Sequence, residues 1–562
     1  MRLGILIGCL IFLTPARAGV AISDVVNYGS RVGSGLPSSG IAQGSLFAVI
    51  GSGLGPDKTA HAHYPLPTSL GLHGVTVDIA IGRKTLSAIM VAVGPNEVDA
   101  ILPSKTPLGP GVLTVHYKET SASYPVTIVK SAFGMIFNAG AFNVEVDGAV
   151  TPNSGFQSAH PGQKMIVRGT GLGPIKGDET RKGLTEIPDA SVRVWVGTSE
   201  AKVISARRGD CCGSDPAAIL NRLAALDLIE FVVPAGLDGC NLSVHVQAGD
   251  IVSNSKWISV SKAGDVCPEV AAYNNGQRVN LVGLTKTSQI QMIHEVTPQS
   301  DKAAQRANDS ASLYIQPIDF SAVPAAIPDF WIHNTNSVGS CSVTTFRINH
   351  ATAVEEQSAA PAAATFDAGQ AFTIKAPNVT QTLANDGTPP VAHYGAFATT
   401  VTLATAGGTS FVSGDPPFLP SGPFTLDNGR GGPDLAPFMV TLRNPSQVRW
   451  ENIEELGTID RTSGFTVKWS GGDPDGIVSI SGGLQAVKGT VSYGAAFTCA
   501  SWAASREFTV PPFVMKQVPV DAQPVQSNLR LGTLIESVVA IPGIDFTYYS
   551  SSQAILKPVV FH

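Results

Sequence analysis

The sequence predicts an all-β chain of repeated sandwich modules with a further β-rich region behind them, and three observations carry that reading. A glycine turn is written twice, as Gly51-Ser-Gly-Leu-Gly-Pro56 and Gly169-Thr-Gly-Leu-Gly-Pro174. Each copy has a further glycine seven residues upstream, Gly44 and Gly162, so these positions recur at an offset of 118. The stretches before the turns, Ser45 to Ile50 and Gln163 to Arg168, are apolar and β-prone, so the glycines punctuate strand ends. Short runs of alternating hydrophobicity separated by turn signals continue along the whole chain. Composition agrees: 58 Gly, 39 Pro and 14% charged residues beside 43% hydrophobic ones exclude a disordered polypeptide and favour short strands joined by tight turns.

Residues 1–18 read as a secretory signal: Arg2, an apolar run from Leu3 to Leu13, and a small-x-small cleavage site at Ala16-Arg17-Ala18. Leu6 to Cys9 also matches a bacterial lipobox, with Cys9 as a lipid anchor, but the apolar core runs on past it and simple cleavage is the preferred reading. No other stretch reaches the roughly 18 apolar residues that a membrane helix needs, so no transmembrane segment is expected. Cleavage removes Arg2 and Arg17 and takes the formal charge from −6 to −8. An acidic chain without basic clusters is a poor partner for nucleic acid. Six cysteines then remain, and an exported protein is expected to oxidise them into disulfides.

The first module, residues 19–130, holds about seven short strands with turns between them, the cadence of an Ig-like sandwich. Val75, Val77, Ile79 and Ile81 share one face at period two and are the expected inward set. The second module, residues 131–262, repeats the order. Pro103 and Pro234, each closing a strand, lie 131 rather than 118 residues apart, so an insertion separates them. It falls within Arg207 to Asp227, where Asp215 as N-cap, Pro216, and Ile219, Leu220, Leu223 and Leu226 on one side predict a short amphipathic helix.

After a linker at Ala263 to Pro268 the pattern stays β. Strands are expected at Arg278 to Leu284, Phe330 to His333, Ser342 to Ile348, Ala371 to Lys375, Phe397 to Leu403, Phe438 to Leu442, Gly464 to Trp469, Gly476 to Ile480 and Glu507 to Val510. Pro298 to Leu313 is the other helix candidate. Asn528 to Leu534 echoes Arg278 to Leu284, so the chain end is expected to pair near the start of this region. Ser358 to Ala364 and Gly407 to Pro437 read as loops or joints. We divide the region into 263–445 and 446–562.

Pro161-Gly162, the Gly169 to Gly173 turn, Val194-Trp-Val-Gly197, Phe231 to Gly236 and Val252 to Ser255 resemble an IPT/TIG Ig-like domain. The two modules together resemble, more closely, the uncharacterised secreted Solibacter-type C-terminal family, which carries the same glycine turn. The resemblance covers roughly residues 24 to 262. It implies an extracellular β-sandwich and transfers no catalytic residue; the cysteine-bearing insert departs from the pattern.

Cys341 and Cys499 are the only cysteines of the C-terminal half and are expected to pair. Cys211, Cys212, Cys240 and Cys267 allow three connectivities. Adjacent cysteines form a strained ring, which favours joining one of Cys211 and Cys212 to Cys240 and the other to Cys267. Zinc at these cysteines with His245 is disfavoured, since no C-x2-C pair is present.

Several other groups of residues have a plainer role beside a functional one. Gly51, Gly53, Gly55 and Gly169, Gly171, Gly173 suggest a nucleotide cradle, but a proline takes the next fingerprint position and no helix follows, so they read as structural turns. Arg208-Gly209-Asp210 is an integrin-type tripeptide, more simply a chance loop sequence. Asp473-Pro-Asp-Gly476 is a turn before it is a cation loop. His61, His63 and His73 form a thin metal signal without a nearby carboxylate. Trp331, Trp450, Trp469, Trp502, Tyr548 and Tyr549 are candidates for a sugar platform, although tryptophan in sandwiches is usually core. No cofactor, metal ligand or catalytic residue is assigned. The expectation is an exported, non-enzymatic adhesion or envelope scaffold whose partner is an unknown protein or glycan at the cell surface. Carbohydrate binding through the C-terminal aromatics and a hydrolase within 263–562 stand as alternatives.

Overall fold

The computed structural model describes residues 19–136, 141–181, 191–209, 212, 225–272, 284–298, 304–319, 335–350, 366–385, 392–404, 410–415, 417–521 and 523–562. Its regular structure is almost all strand. Among the described residues the helices are single turns, such as Pro268–Ala272 and Pro512–Met515, and none is long and apolar enough to cross a membrane.

The first module is two facing five-stranded sheets. One runs in the order Ala21–Asn27, Leu46–Ser52, Glu97–Ile101, Ile89–Val93, Ala60–His61. The other runs Ile41–Ala42, Thr120–Val129, Gly109–Tyr117, Val75–Ile81, Lys84–Ser87. Alternation along Val75–Ile81 sends Val75, Val77 and Ile79 inward against Phe47, Val49 and Val98, while Ile81 at the strand end is only half-buried.

The second module closes one continuous sheet upon itself. Its pivot is the long strand Ser199–Arg208. The first part of that strand pairs with Val192–Val196 and the rest, across a bulge between Val203 and Ser205, with Asp227–Val232. A bulge lets a strand turn a corner between two layers. Met165, Val167, Ile229 and Phe231 from one side then meet Val194, Val196, Val244 and Val246 from the other in a single core. The predicted helix of the insert lies almost entirely outside the described residues.

The C-terminal region is built on a 13-stranded sheet that takes strands from both sides of residue 445. At its centre Leu284–Pro298 pairs in parallel with Phe546–Pro558, from Thr287 opposite Phe546 to Val296 opposite Ile555. The end of the chain thus closes near the start of the region, but not through the echoed segments: Asn528 to Leu534 pairs with Ile477 to Gly483, and residues 278–283 lie outside the described residues. Two apolar clusters form on this sheet, one around Leu313, Phe372, Tyr394 and Leu426, the other around Val467, Trp469, Phe497 and Leu531.

Two expectations are corrected here. Pro298 to Leu313 is not a helix: Ala304–Asp319 is a strand held between Leu284–Pro298 and Ala392–Ala404. Its alanines and polar residues suit a helix locally. As a strand, however, Asp309, Ala311, Leu313 and Ile315 fall on one buried face at period two, and pairing on both sides outweighs the local preference. Gly407 to Pro437 is not simply a joint, since it contains the strands Ser410–Gly414 and Gly422–Asp427. The expected strands at Arg278 to Leu284 and Phe330 to His333, and the loop Ser358 to Ala364, fall essentially outside the described residues.

Candidate functional site

The two glycine turns serve different ends. In the first copy the amides of Gly51 and Leu54 donate to the carbonyls of Asn96 and Pro95, at 2.9 Å each, so the turn rests on the neighbouring hairpin. Gly51 itself runs so close to Ala21 that an added Cβ would lie 2.0 Å from the Ala21 carbonyl oxygen. In the second copy the equivalent of Leu54 is Leu172. Its amide and that of Gly171 both donate to Asp227 Oδ2, at 2.8 Å each. Gly171 has φ +109°, and a Cβ there would meet the Ala132 carbonyl oxygen at 2.3 Å, so only glycine lets these amides converge. The turn is a nest for an anion, and the anion is the chain's own carboxylate.

Asp227 continues into a buried charge network at the seam between the modules. Arg208 Nε donates to Asp227 Oδ1 at 2.9 Å, and Arg208 Nη2 donates to the Gly173 carbonyl at 3.0 Å. The remaining Arg208 nitrogen lies 3.9 Å from Glu179 Oε1. Glu179 reaches into the first module, where it accepts from the Ser104 amide at 2.9 Å and the Ser104 hydroxyl at 2.7 Å. Burial raises the Glu179 pKa above its ordinary value, against the pull of Ser104 and Arg208. Asn27 adds a second tie, donating to the carbonyls of Ala132 and Thr170. Arg208 is fully buried, which overturns the integrin-type reading: its guanidinium is committed inside the protein. Asp210 lies outside the described residues.

A second seam joins the second module to the C-terminal region. His245 is fully buried with Nε2 2.8 Å from the Cys341 carbonyl, and Gln517 Nε2 lies 3.3 Å from its Nδ1. Trp195 stacks on Phe513 at 4.6 Å, and the Ser340 hydroxyl donates to that of Ser243 at 2.8 Å. Burial drives the His245 pKa down to about 4, with the bond to Cys341 working the other way, so the ring is neutral. On the first module, Arg347 from the C-terminal sheet reaches Asp24 at 3.3 Å and the Tyr124 hydroxyl at 3.2 Å.

Cys341 and Cys499 are bonded to each other, directly opposed across paired strands with Cα atoms 4.0 Å apart. The favoured pairing of the other four is corrected: Cys240 bonds Cys267. The start of the strand Gly239–Ala248 lies beside the helix Pro268–Ala272, whose Glu269 accepts from the Cys240 amide at 2.9 Å, and this places Cys267 alongside. Cys212 is itself disulfide-bonded, to a cysteine other than Cys240, Cys267, Cys341 and Cys499, and Cys211 lies outside the described residues. Among the described residues Cys240, Cys267 and Glu269 form the one grouping of three ligand side chains within 4.8 Å, and its two sulfurs are consumed in the disulfide.

The remaining candidates resolve as follows. His61, His63 and His73 are all exposed. Asp473 accepts from Arg443 and from Ser446, each at 2.7 Å, so its carboxylate serves the turn. Of the proposed sugar platform, Trp450, Trp469, Tyr548 and Tyr549 are core residues, Trp331 is outside the described residues, and Trp502 alone is exposed, at 48%. Sequence reasoning missed one acid/base pair: His294 Nδ1 lies 2.5 Å from Asp309 Oδ1, while Asp309 Oδ2 accepts from the amides of Phe418 and Leu419. The two stand opposite each other on paired strands, a juxtaposition invisible until the helix reading is abandoned. Two cavities lie at the seams. One of about 620 Å³ is lined by Ser104, Lys105 and Ile175 to Thr180, the other of about 570 Å³ by Arg347, Arg461 and Lys488.

No family model and no curated protein matches this chain. Among solved structures, the I9-I11 tandem from titin is similar at 6% identity, over 66% of this chain and 92% of that one, with a TM-score of 0.12. Domains 4-9 of the surface layer protein SbsC are similar at 10% identity, over 96% of this chain and 66% of that one, with a TM-score of 0.13. An auxiliary nutrient binding protein from Bacteroides ovatus is similar at 10% identity, over 70% and 86%, with a TM-score of 0.13. Likenesses of this size carry no argument about this chain, whose all-β class rests on its own strand ladders.

Proposed function

We propose that the chain is an exported, non-enzymatic scaffold that presents surface loops for adhesion to an envelope or matrix component. The observation that supports this is the chemistry of the seams. Glu179, beside the buried Arg208–Asp227 pair, accepts from Ser104 of the first module, and the buried His245 bonds the Cys341 carbonyl of the C-terminal region, so each module completes its neighbour's polar groups instead of hanging from a flexible joint. Such a block keeps distant loops at constant separation, which suits attachment. Two disulfides in the C-terminal half and its linker fit an oxidising compartment. The IPT/TIG resemblance of residues 24 to 262 belongs to the same reading.

The test uses the mature protein purified with its disulfides intact. Sedimentation with isolated envelope fragments is the expected result, together with no turnover of esterase, protease or glycosidase substrates. Turnover abolished by His294→Ala or Asp309→Asn would replace the scaffold with a hydrolase, since those two residues form the acid/base pair described above.

A further inference from the structure

We infer that the cavity where the first module meets the C-terminal hairpins is a binding site for an acidic sugar, a ring bearing a carboxylate or a phosphate. It is lined by the loop at 34–37, the strand carrying Arg347, the turn at Arg461 and the hairpin end at Lys488. At about 570 Å³ it has the size of a small-ligand pocket.

The charge pattern sets the ligand's sign. The whole chain is acidic, with a formal charge of −6, yet three cations and no carboxylate line this cavity. Arg347 is balanced by Asp24. Among the described residues Arg461 forms no ion pair with an acid: its Nε and Nη2 donate to the carbonyls of Met515 and Lys516, at 3.3 and 3.0 Å, and burial pulls its pKa below the ordinary value. Lys488 is exposed at the rim and makes no ion pair among the described residues. Asp521, which feels the Lys488 charge, already accepts from the Tyr493 hydroxyl and the Gln523 amide, and these bonds hold its pKa below the usual range with the Lys488 charge adding to the effect. A half-buried guanidinium with no acid partner among the described residues and an exposed ammonium whose neighbouring carboxylate is already hydrogen-bonded elsewhere therefore face one space, which an anion from outside would complete.

The walls set the rest of the ligand. Pro37, Val491 and Val520 offer apolar surface for the C–H face of a ring, and the Ser34 and Tyr493 hydroxyls, already bonded to Tyr124 and Asp521, keep lone pairs that can accept from ring hydroxyl groups. A carboxylate or phosphate on such a ring would take the charge-assisted bonds from Arg461 and Lys488.

The inference deepens the adhesion reading by naming the partner's chemistry, and it rests on that reading. Calorimetric titration of the mature protein with trigalacturonate, with glucose 6-phosphate, with a neutral galactose trimer and with pentaglutamate tests it. Binding of the first or the second is expected, and which one binds identifies the anionic group. Affinity should fall about 5- to 10-fold in Lys488→Gln, further in Arg461→Gln, and steeply as salt rises from low to physiological ionic strength. Lys488→Gln guards against loss of fold, because the Lys488 side chain is exposed and makes no hydrogen bond or ion pair among the described residues, whereas Arg461 supports two carbonyls. Failure of both acidic sugars to bind, equal affinity in Lys488→Gln, or equal or tighter binding of pentaglutamate would overturn the inference. Envelope sedimentation run in parallel separates the two claims: retained sedimentation with no acidic-sugar binding removes the site and leaves the scaffold, while loss of both removes both.

Discussion

His245 makes the seam between the second module and the C-terminal region sensitive to acid. In the unfolded chain the imidazole has its usual pKa near 6.5, whereas in the folded protein it is held down to about 4. Between these values the unfolded state takes a proton that the folded state refuses, so stability is full above about pH 6.5 and falls as pH drops toward 4. The gap of about 2.5 units is worth about 3 kcal/mol at pH 4. The groups around the ring, Trp195, Phe513, Gln517, the Ser255 hydroxyl and the Cys341 carbonyl, carry no charge to offset a cation. The assay is urea unfolding of the wild type and of His245→Gln at steps from pH 7.5 to 4. Carboxylates lose their contributions in both proteins, so the difference isolates the histidine. The variant starts less stable, because it gives up the ring contacts with Phe513, and its deficit should shrink by about 3 kcal/mol over the acid range. Parallel curves over that range would refute the reasoning.

Three further outcomes follow from the same structure. Asp227→Asn leaves the buried Arg208 with only Glu179, at 3.9 Å, as counter-charge and should cost about 3 to 5 kcal/mol in equilibrium unfolding, far more than a surface ion pair such as Arg193 with Glu200. Replacing Cys341 and Cys499 by serine opens a loop of 158 residues, worth about 5 kcal/mol on the chain-entropy account. The 27-residue Cys240 to Cys267 loop is worth about 3.5, so the first double variant should have the lower urea midpoint. Gly171→Ala should destabilise far beyond the roughly 1 kcal/mol expected of Gly162→Ala. Both glycines have positive φ, but a Cβ at 171 meets the Ala132 carbonyl at 2.3 Å and one at 162 meets nothing within 4 Å; thermal unfolding of the two variants reads the difference.

Local chemistry made much of the chain legible. Alternation placed Val75, Val77 and Ile79 in a core because a strand's side chains must point alternately to its two faces, whatever lies around it. The duplicated turn was readable because the glycines end strands in both copies. Cys341 and Cys499 could be matched because no other cysteine competes in their half. The helix read into Pro298 to Leu313 failed where local preference and pairing disagree: flanking strands on both sides override a stretch of alanine and polar residues.

By itself, then, the sequence determined the all-β class, the strand-ending glycines and one disulfide, since each depends on neighbours along the chain or on simple counting. Tertiary structure alone decided that the second glycine turn clasps Asp227, that Arg208 is sealed in a seam, that His294 faces Asp309 and that Arg461 and Lys488 share a cavity. The physical reason is that a charge takes its meaning from what excludes water around it and what stands opposite it. Those partners arrive from segments as distant as Glu179 from Ser104, or Arg347 from Asp24, and no spacing in the chain records them.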